Sequence, residues 1–514
     1  MLRKCCLFGF LFLLLSCTAD ASVLIVNSEG NGDFSSIQEA VDSAAPGDSI
    51  VVTKGQYTEN IMITKELVLI SNSSRTEDVV VRIKDPDSSI FSVQADNVTI
   101  AGFSLHGINN KGYGIWLNGS NGCNLSNNFV SDCRWGIFIE GSYRNIISDN
   151  FLDENRGYGV FLVESSNNQI ENNTIINQMD GICLDSSYNN FLGNNSVGGC
   201  SESGITLRDD SFNNNLSANR MFDNTFNFGD ESGLNKVGLS NRVNGKKILY
   251  LNNVFDVLID SSSRAGVVYC YNCVNVTVRD ISVSNNLRGI SFYNANGVNL
   301  YNLSCTHNDK GIYFEEASDS VISNSTIQNN SFVGISLDDS NGFLIEENEI
   351  QDNDDGIYTS EAFNCEIRNN LITGSSTGIM MGFSNNNLIK NNEINSNDMG
   401  LAFYLSDQNK IDNNEFLENA GYSVFLQYSS DNSIMNNNIV QNDVGIRFKE
   451  SSINNSVFDN SFSDSDECFV GEEGNNIYNN TYQGVSGDNY LSSFSPMYLI
   501  FVIIGAFSVV RSRK

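Results

Sequence analysis

The sequence predicts an all-β protein folded as a right-handed parallel β-helix, a β-solenoid with coils of 22 or 23 residues. A phrase of Gly, Ile or Val, any residue and Leu recurs at this spacing through most of the 514 residues. Fixed periods of roughly 20 to 50 residues are typical of stacked repeat folds. The glycines of the repeat are Gly114, Gly136, Gly159, Gly181 and Gly204, then Gly266, Gly289, Gly311, Gly334, Gly356, Gly378, Gly400 and Gly445.

Each repeat contains three short strand-compatible runs separated by Asn, Ser, Gly and Asp, which tolerate turns and left-handed backbone. No two-residue hairpin joins the runs, so we expect each strand to lie parallel to its copy one coil later, with right-handed crossovers. The Ile and Leu of the repeated phrase should face inwards and fill the core. Asparagines at one shared offset should stack and satisfy buried backbone groups, namely Asn128, Asn150, Asn173 and Asn195.

The ends of the chain carry signals for export and anchoring. Residues 1–21 have a basic start, an apolar run and a small-residue cleavage site, as in a signal peptide. A lipidated Cys17 is the alternative. Residues 488–514 form a Ser-rich spacer, a hydrophobic C-terminal helix and a basic tail, which predict a membrane anchor with the body outside the cell. Cleavage of this tail and its replacement by another anchor is the second alternative.

A short amphipathic helix is predicted near the mature N-terminus. Ile37, Ala40, Val41 and Ala44 recur at helical spacing, and a preceding serine can cap the helix. Two strand-like runs follow, beginning at Pro46 and Gly55. The opening resembles those of the pectate-lyase-like and pectin-methylesterase-like β-helices. The resemblance implies that the helix caps the first coil and covers an open sheet edge.

The 22- or 23-residue period is interrupted at residues 229–265, a segment in which basic residues are concentrated. We expect a loop or a small excursion there between two coil arrays, with a degraded coil at residues 248–258. The phrases at 243–251 and 265–278 resemble the NosD-like β-helix family of exported repeat proteins. The resemblance covers residues 22 to about 487, which we take as one solenoid.

The composition limits the partners. The formal net charge is -32 with only 2 histidines, so an acidic exterior argues against nucleic acid as a partner. The membrane is expected to be reached only through the C-terminal segment. The namesake of the NosD-like family is associated with copper, but no His cluster is present, and Met380 and Met381 should pack within the fold. We expect no cofactor, with Ca²⁺ considered only for an enzyme.

The cysteines do not indicate a disulfide framework. Three of the 12 cysteines lie in the signal peptide, which leaves an odd number, nine. Cys270 and Cys273 form a CxxC motif that no second CxxC or histidine accompanies. We expect this motif to be a pair of buried thiols rather than a zinc or redox site.

Outward-facing positions provide a candidate binding surface. The second residue after the glycine should point outwards, which makes Trp116, Phe138 and Phe161 a stripe with steps of about 4.8 Å. With Glu140 beside them, these rings are the predicted substrate-binding residues of a flat sugar-binding surface. The alternative is that the rings pack under a neighbouring loop and that the acid is merely solvated.

No catalytic residues are predicted for the favoured function. The alternative catalytic set is Asp185, Arg208 and Asp209, the one place where acids accompany a base on successive coils. The full motifs of polygalacturonases and of epimerases with this fold are missing. Convergence of the three side chains in a groove would favour an enzyme, and a bare face would not.

The leading hypothesis is a non-enzymatic, C-terminally anchored cell-surface β-helix that binds glycan or contributes to an envelope layer. A polysaccharide-active lyase, hydrolase or epimerase is the first alternative, and a NosD-like maturation or transport factor is the second. Asn-x-Ser/Thr sequons occur throughout. We expect those in the Asn stack to be buried, and Asn72 and Asn118 to be the better glycosylation candidates.

Overall fold

The computed structural model describes residues 21–109, 111–471 and 473–483. These residues form a right-handed parallel β-solenoid of about 21 turns, as predicted. The predicted capping helix is confirmed as Ile37–Ser43, and 3-10 turns lie at Thr76–Asp78 and Ser261–Ser263. The solenoid is divided into two arrays of three sheets each.

The first array contains sheets 1 to 3, in which each strand pairs in parallel with its copy on the next coil. Sheet 1 comprises Val23–Val26, Ser49–Val52, Val68–Ser71, Thr99–Ala101, Asn124–Ser126, Ile146–Ser148, Gln169–Glu171, Phe191–Gly193, Asn215–Ser217 and Lys236–Val237. Sheet 2 comprises Gly55–Thr58, Val79–Arg82, Ser104–His106, Phe129–Ser131, Phe151–Asp153, Thr174–Ile176, Ser196–Gly198, Arg220–Phe222 and Arg242–Val243. Sheet 3, which contains the repeat glycines, comprises Ile61–Ile63, Ser89–Val93, Tyr113–Asn118, Trp135–Glu140, Tyr158–Val163, Asp180–Asp185, Ser203–Arg208 and Phe226–Asp230.

The second array contains sheets 4 to 6, with the repeat glycines in sheet 4. Sheet 4 comprises Lys246–Asn252, Ala265–Tyr271, Arg288–Tyr293, Lys310–Glu315, Val333–Asp338, Asp355–Ser360, Thr377–Gly382, Met399–Tyr404, Tyr422–Gln427, Val444–Lys449 and Glu467–Val470. Sheet 5 comprises Leu258–Ile259, Thr277–Arg279, Asn299–Tyr301, Val321–Ser323, Leu344–Glu346, Glu366–Arg368, Leu388–Lys390, Lys410–Asp412, Ser433–Met435, Ser456–Phe458 and Asn476–Tyr478. Sheet 6 comprises Ser282–Ser284, Ser304–Thr306, Thr326–Gln328, Glu349–Gln351, Leu371–Thr373, Glu393–Asn395, Glu415–Leu417, Asn438–Val440, Ser461–Ser463 and Thr481–Gln483.

The capping helix lies over the first coil with one face buried. Ile37, Ala40 and Val41 point into the core. Ser36 caps the helix, because its hydroxyl accepts a hydrogen bond from the Glu39 backbone N–H at 3.3 Å. The Glu59 carboxylate accepts two further backbone N–H groups of the first turn. A carboxylate is favourable there because the N-terminus of a helix presents unsatisfied donors.

The two arrays meet at an antiparallel turn. Arg242–Val243, the last strand of sheet 2, pairs antiparallel with Lys246–Asn252, the first strand of sheet 4. Sheet 4, which contains the repeat glycines of the second array, therefore continues the side of the rod that sheet 2 forms in the first array. The segment for which the sequence predicted a loop or excursion, 229–265, contains this turn and several short strands.

The CxxC motif is a disulfide rather than the predicted pair of thiols. Cys270 and Cys273 are bonded, with their Cα atoms 6.2 Å apart. Asn272 between them has a left-handed φ of 53°, which turns the chain so that both side chains enter the core. The seven remaining cysteines of the described chain are free.

Two predicted end segments lie outside the described residues, apart from Ala21. They are the signal peptide at 1–21 and the spacer, C-terminal hydrophobic helix and basic tail at 488–514. Within the part that is described, no helix combines the length and apolar character needed to cross a membrane.

Close packing between coils explains the repeat glycine. A Cβ on Gly378 would lie 2.6 Å from the carbonyl oxygen of Gly400 in the next coil. The φ angle of Gly378 is not left-handed, so space rather than backbone freedom requires glycine here. The same contact recurs along both arrays, for example between Gly114 and the carbonyl of Gly136.

Buried asparagine side chains connect each coil to the next. The Asn150 amide donates hydrogen bonds to the Leu125 carbonyl at 2.9 Å and to Asn173 Oδ1 at 3.0 Å. Its backbone N–H donates to the same Asn173 oxygen at 3.0 Å. This confirms the predicted stack, and ladders of the same kind occur at several turns. The longest in the second array contains Asn348, Asn370, Asn392, Asn414, Asn437, Asn460 and Asn480.

We predict that Gly378→Ala lowers stability and that Gly382→Ala, on the same strand, does not. The first substitution forces a Cβ against a backbone carbonyl, whereas the nearest atom to a Cβ at Gly382 is 3.7 Å away. Overpacking of this kind costs about 1–3 kcal/mol. Urea unfolding followed by far-UV circular dichroism measures the difference, and equal losses for both variants would contradict the packing argument.

We predict that Asn392→Ala destabilises the second array by at least about 2 kcal/mol, because it orphans several buried groups. The Ile367 carbonyl loses its Asn392 donor, and the Asn370 backbone N–H loses its acceptor. The control is Asn391→Gly, which changes the exposed neighbouring residue at a left-handed φ of 54°. Thermal unfolding of both variants provides the test. An Asn392→Ala midpoint as high as that of the control would show that the ladder is dispensable.

Candidate functional site

The predicted aromatic stripe lies on the outer side of sheet 3, where its rings follow one another along the rod. The Trp116 and Phe138 rings are 6.2 Å apart at 14°, and the Phe138 and Phe161 rings are 5.7 Å apart at 18°. These positions pair directly between neighbouring strands. The three rings are therefore brought together as the repeat predicts.

A second row of rings, which the sequence analysis missed, packs against the first. Tyr113, Trp135 and Tyr158 each come directly before a repeat glycine. Trp135 contacts Phe138 edge-on at 4.7 Å, and Tyr158 stacks on Phe161 at 4.2 Å. We call the two rows together the six-ring cluster. The signal was present in the sequence as an aromatic residue preceding three successive glycines.

The sequence predicted three exposed aromatic rings. In the structure the rings pack against one another and are less exposed. Phe138, in the middle, is only 7% exposed. Trp116 and Phe161 at the ends of the row are partly exposed. The neighbouring rings contact Phe138 directly. Phe138 is therefore buried by these rings and not, as in the alternative, by a loop. The cluster therefore offers ring edges and end faces rather than a flat row of free faces.

Polar groups border the cluster. The Trp116 indole N–H donates to Glu140 Oε2 at 3.2 Å, which places the predicted Glu140 at the edge of the rings. The Arg134 guanidinium lies 4.9 Å from the centre of the Trp135 ring, within cation–π range. Aromatic edges beside a carboxylate and a guanidinium can engage both the apolar faces and the hydroxyl groups of a sugar.

An open groove of about 450 Å³ lies next to the cluster. Asp132, Glu154, Arg156 and Met179 are among the residues that line it. Gly157, which follows Arg156, approaches the Trp135 indole so closely that a Cβ would lie 2.6 Å from it. Trp135 therefore lies beside the turn that carries Arg156, although none of the six rings lines the groove.

The alternative catalytic set is not assembled. Arg208 forms its ion pair with Asp180, at 3.8 Å, and donates to the Tyr158 hydroxyl at 3.3 Å. Asp185 accepts a hydrogen bond from the Ser186 hydroxyl instead. Asp209 is exposed in a left-handed turn. Arg208 thus contacts Asp180 and Tyr158, and neither predicted acid forms an ion pair with it although Asp185 lies opposite it on the neighbouring strand.

The buried Asp180 explains the orientation of Arg208. Asp180 is 2% exposed and comes directly before a repeat glycine, in the same row as Tyr158. Burial raises the pKa of its carboxyl, while Arg208 and the Ser203 N–H favour the charged form. A buried carboxylate needs such partners, which the exposed Asp209 does not. Sequence reasoning missed Asp180 because burial cannot be read from a single acidic residue.

The comparisons with known proteins identify the family. Residues 41–249 and 239–403 match the family model described as periplasmic copper-binding protein (NosD), and residues 333–482 match the right-handed β-helix region. The chain belongs to the NosD family. The resemblance noted from the sequence is therefore confirmed.

A curated relative of the NosD-family chain is a cell surface glycoprotein of Methanothermus fervidus. It is 34% identical over 134 residues, which is 26% of this chain and 21% of that protein. The chain therefore spans about a fifth of the relative's length.

Similar solved structures include a mannuronan C-5 epimerase A-module from Azotobacter vinelandii. It has a TM-score of 0.21 at 12% identity and covers 88% of this chain and 94% of that one. A rhamnogalacturonan lyase has a TM-score of 0.31 at 12% identity, with 61% and 82% covered.

The family description names copper, so we asked whether the described residues fit it. They contain no group of three or more His, Cys, Asp and Glu side chains able to hold a metal ion. The His106 ring nitrogens lie 2.9 Å from the Ser104 and Ser131 hydroxyls. Burial raises the pKa of the Cys183 thiol to about 12, which keeps it protonated. Copper favours imidazole, thiolate or thioether ligands grouped together, so the described residues do not fit a copper centre.

We predict that Arg208→Met loses stability in a pH-dependent way. Without Arg208 the pKa of Asp180 rises further, so burying the charged form becomes costly as the pH rises above its unfolded pKa of about 3.9. At about pH 7.5 the variant should lose about 1–2 kcal/mol, a value reduced because the Arg208 side chain is 34% exposed. At about pH 4.5 the loss should be smaller. Chemical unfolding at both pH values measures it.

The double variant Arg208→Met with Asp180→Asn is the matched control. It removes the titrating group, so the difference between the two pH values should disappear. A loss that is the same at both pH values in the single variant would show that Arg208 acts through packing alone.

Proposed function

We propose that the protein is an exported cell-surface β-helix that binds a polysaccharide or envelope glycan at the six-ring cluster without altering it chemically. The single observation that carries the proposal is this cluster, six aromatic rings on the outer side of sheet 3 beside an open groove. The two indoles of the cluster, Trp116 and Trp135, lie near polar partners. Aromatic residues carrying a polar group are suited to surfaces that bind amphipathic sugar rings.

Family and relative support the location. The NosD family is described as periplasmic and the Methanothermus fervidus relative as a cell surface protein. We extend the proposal to the chain ends, with residues 1–21 directing export and the apolar part of residues 488–514 holding the protein at the membrane. The described solenoid, from residue 22 to residue 483, would then project outwards.

Binding is favoured over catalysis by the arrangement around Arg208. A polysaccharide lyase, hydrolase or epimerase needs acid and base groups that reach the substrate. Here Arg208 forms its ion pair with Asp180, which is buried, whereas Asp185 on the neighbouring strand accepts a hydrogen bond from Ser186 instead. No metal-binding group among the described residues supports the copper-related role of the family namesake.

We predict that Trp116→Ala and Trp135→Ala each weaken polysaccharide binding about tenfold or more, which corresponds to about 1.4 kcal/mol. Each substitution removes a large contact surface and opens the cluster. Isothermal titration against a panel of neutral and acidic polysaccharides measures the affinity.

The control is Tyr188→Ala. Tyr188 is 40% exposed and stacks on Phe212 at 5.3 Å, outside the cluster. This control should bind as well as the unaltered protein, and the melting temperatures of all variants establish that they fold. Equal binding by all three variants would show that the cluster is not part of the binding site. New reducing ends or unsaturated products after incubation would show that the protein is an enzyme.

A further inference from the structure

The register of the coils places every sequon asparagine outside the buried ladders. In the phrase Asn-Asn-Ser/Thr the first asparagine occupies a turn and the second enters a ladder, as at Asn329 and Asn330. Asn329 is exposed with a left-handed φ of 55°, whereas Asn330 is 1% exposed. The expectation that sequons in the stack would be buried is therefore wrong. In this phrase the sequon residue lies one position before the ladder residue.

Asn324 and Asn329 are two exposed sequon asparagines within one coil. They lie in the turns on either side of the strand Thr326–Gln328, and both are exposed. Neither side-chain amide forms a hydrogen bond with the described chain, whereas Asn172 accepts one from Asn194. The remaining exposed sequon asparagines are Asn72, Asn97, Asn172, Asn194, Asn215, Asn275, Asn302, Asn454 and Asn479.

The sequons are distributed unevenly around the rod. They lie in turns and on sheet 1, and the one on a glycine strand is Asn118, on Tyr113–Asn118 of sheet 3. Asn118 is only partly exposed. The outer side of sheet 3, which we call the glycine-strand face, is therefore almost free of acceptor sites. It includes the six-ring cluster.

We infer that the chain is N-glycosylated at its turn asparagines, with Asn324 and Asn329 as principal sites, and that the glycine-strand face carries no glycan. The donor class is an oligosaccharide linked to a lipid phosphate. The asparagine amide nitrogen bonds to the anomeric carbon, and the bond between that carbon and the phosphate oxygen breaks. The phosphate leaves with the electron pair, and one amide proton passes to a base. Of the two parts of this inference, only the absence of glycan from the glycine-strand face is related to the proposed function, because it leaves the cluster accessible to polysaccharide.

Glycopeptide mass spectrometry of the full chain from the envelope of the cells that make it tests the inference. At least one of Asn324 and Asn329 should carry a sugar mass, and Asn118 should carry none. Asn391 and Asn413 are internal controls, because they occupy equivalent exposed turns with left-handed φ but lack Ser or Thr two residues later. They should be unmodified.

Two variants separate sequon chemistry from chance modification. Asn324→Gln removes the acceptor, and Thr326→Val removes the sequon hydroxyl while retaining a β-branched side chain. Each should abolish the sugar mass at position 324 and leave the melting temperature almost unchanged. Unmodified Asn324 and Asn329 in the unaltered protein would overturn the inference, as would a glycan on Asn118. Neither outcome depends on whether the cluster binds polysaccharide.

Discussion

The coil-to-coil hydrogen bond of a buried asparagine is the interaction on which the rest of the structure depends. A turn at the edge of a solenoid buries backbone donors and acceptors that water cannot reach, and each unpaired group is costly. An asparagine amide supplies a donor and an acceptor at once. Asn150 thus satisfies the Leu125 carbonyl on one side while bonding to Asn173 on the other. The turns can then be tight, and the strands between them can be as short as two or three residues.

The short strands and tight turns leave little room, and the repeat glycine follows from this. Where neighbouring coils approach most closely, the carbonyl of one glycine occupies the space that a Cβ would need on the glycine of the preceding coil, as Gly400 does for Gly378. Inward-facing Ile and Leu fill the core at every coil, and residues such as Ile379 and Leu401 are fully buried. The outer side is free to vary, which allows a cluster of aromatic rings in one place and charged residues in another.

Most of the fold could be predicted from the sequence because each structural requirement recurs at every coil. The period, the inward Ile and Leu, the Asn128 stack and the capping helix at Ile37–Ser43 all belong to local patterns. The antiparallel turn at Arg242 and the disulfide of Cys270 and Cys273 could not be predicted. Each occurs once, so the repeat pattern does not signal it.

The candidate site was predicted only in part. Strand alternation placed Trp116, Phe138 and Phe161 together, because register is a property of the backbone. It did not reveal that Trp135 covers Phe138, or that Arg208 turns to Asp180 rather than to Asp185. Those contacts are decided by which side chains are buried, and burial on the outer side of a sheet depends on side chains of the neighbouring coils as well as of the same strand.

The central claim is that the six-ring cluster is the surface that engages glycan, and intrinsic fluorescence tests it most directly. The chain has 2 tryptophans, Trp116 and Trp135, and both belong to the cluster. The account predicts a saturable change in tryptophan emission, with reduced quenching by acrylamide, when the protein is titrated with the polysaccharide it binds. Binding that calorimetry detects while emission and quenching stay unchanged would contradict it.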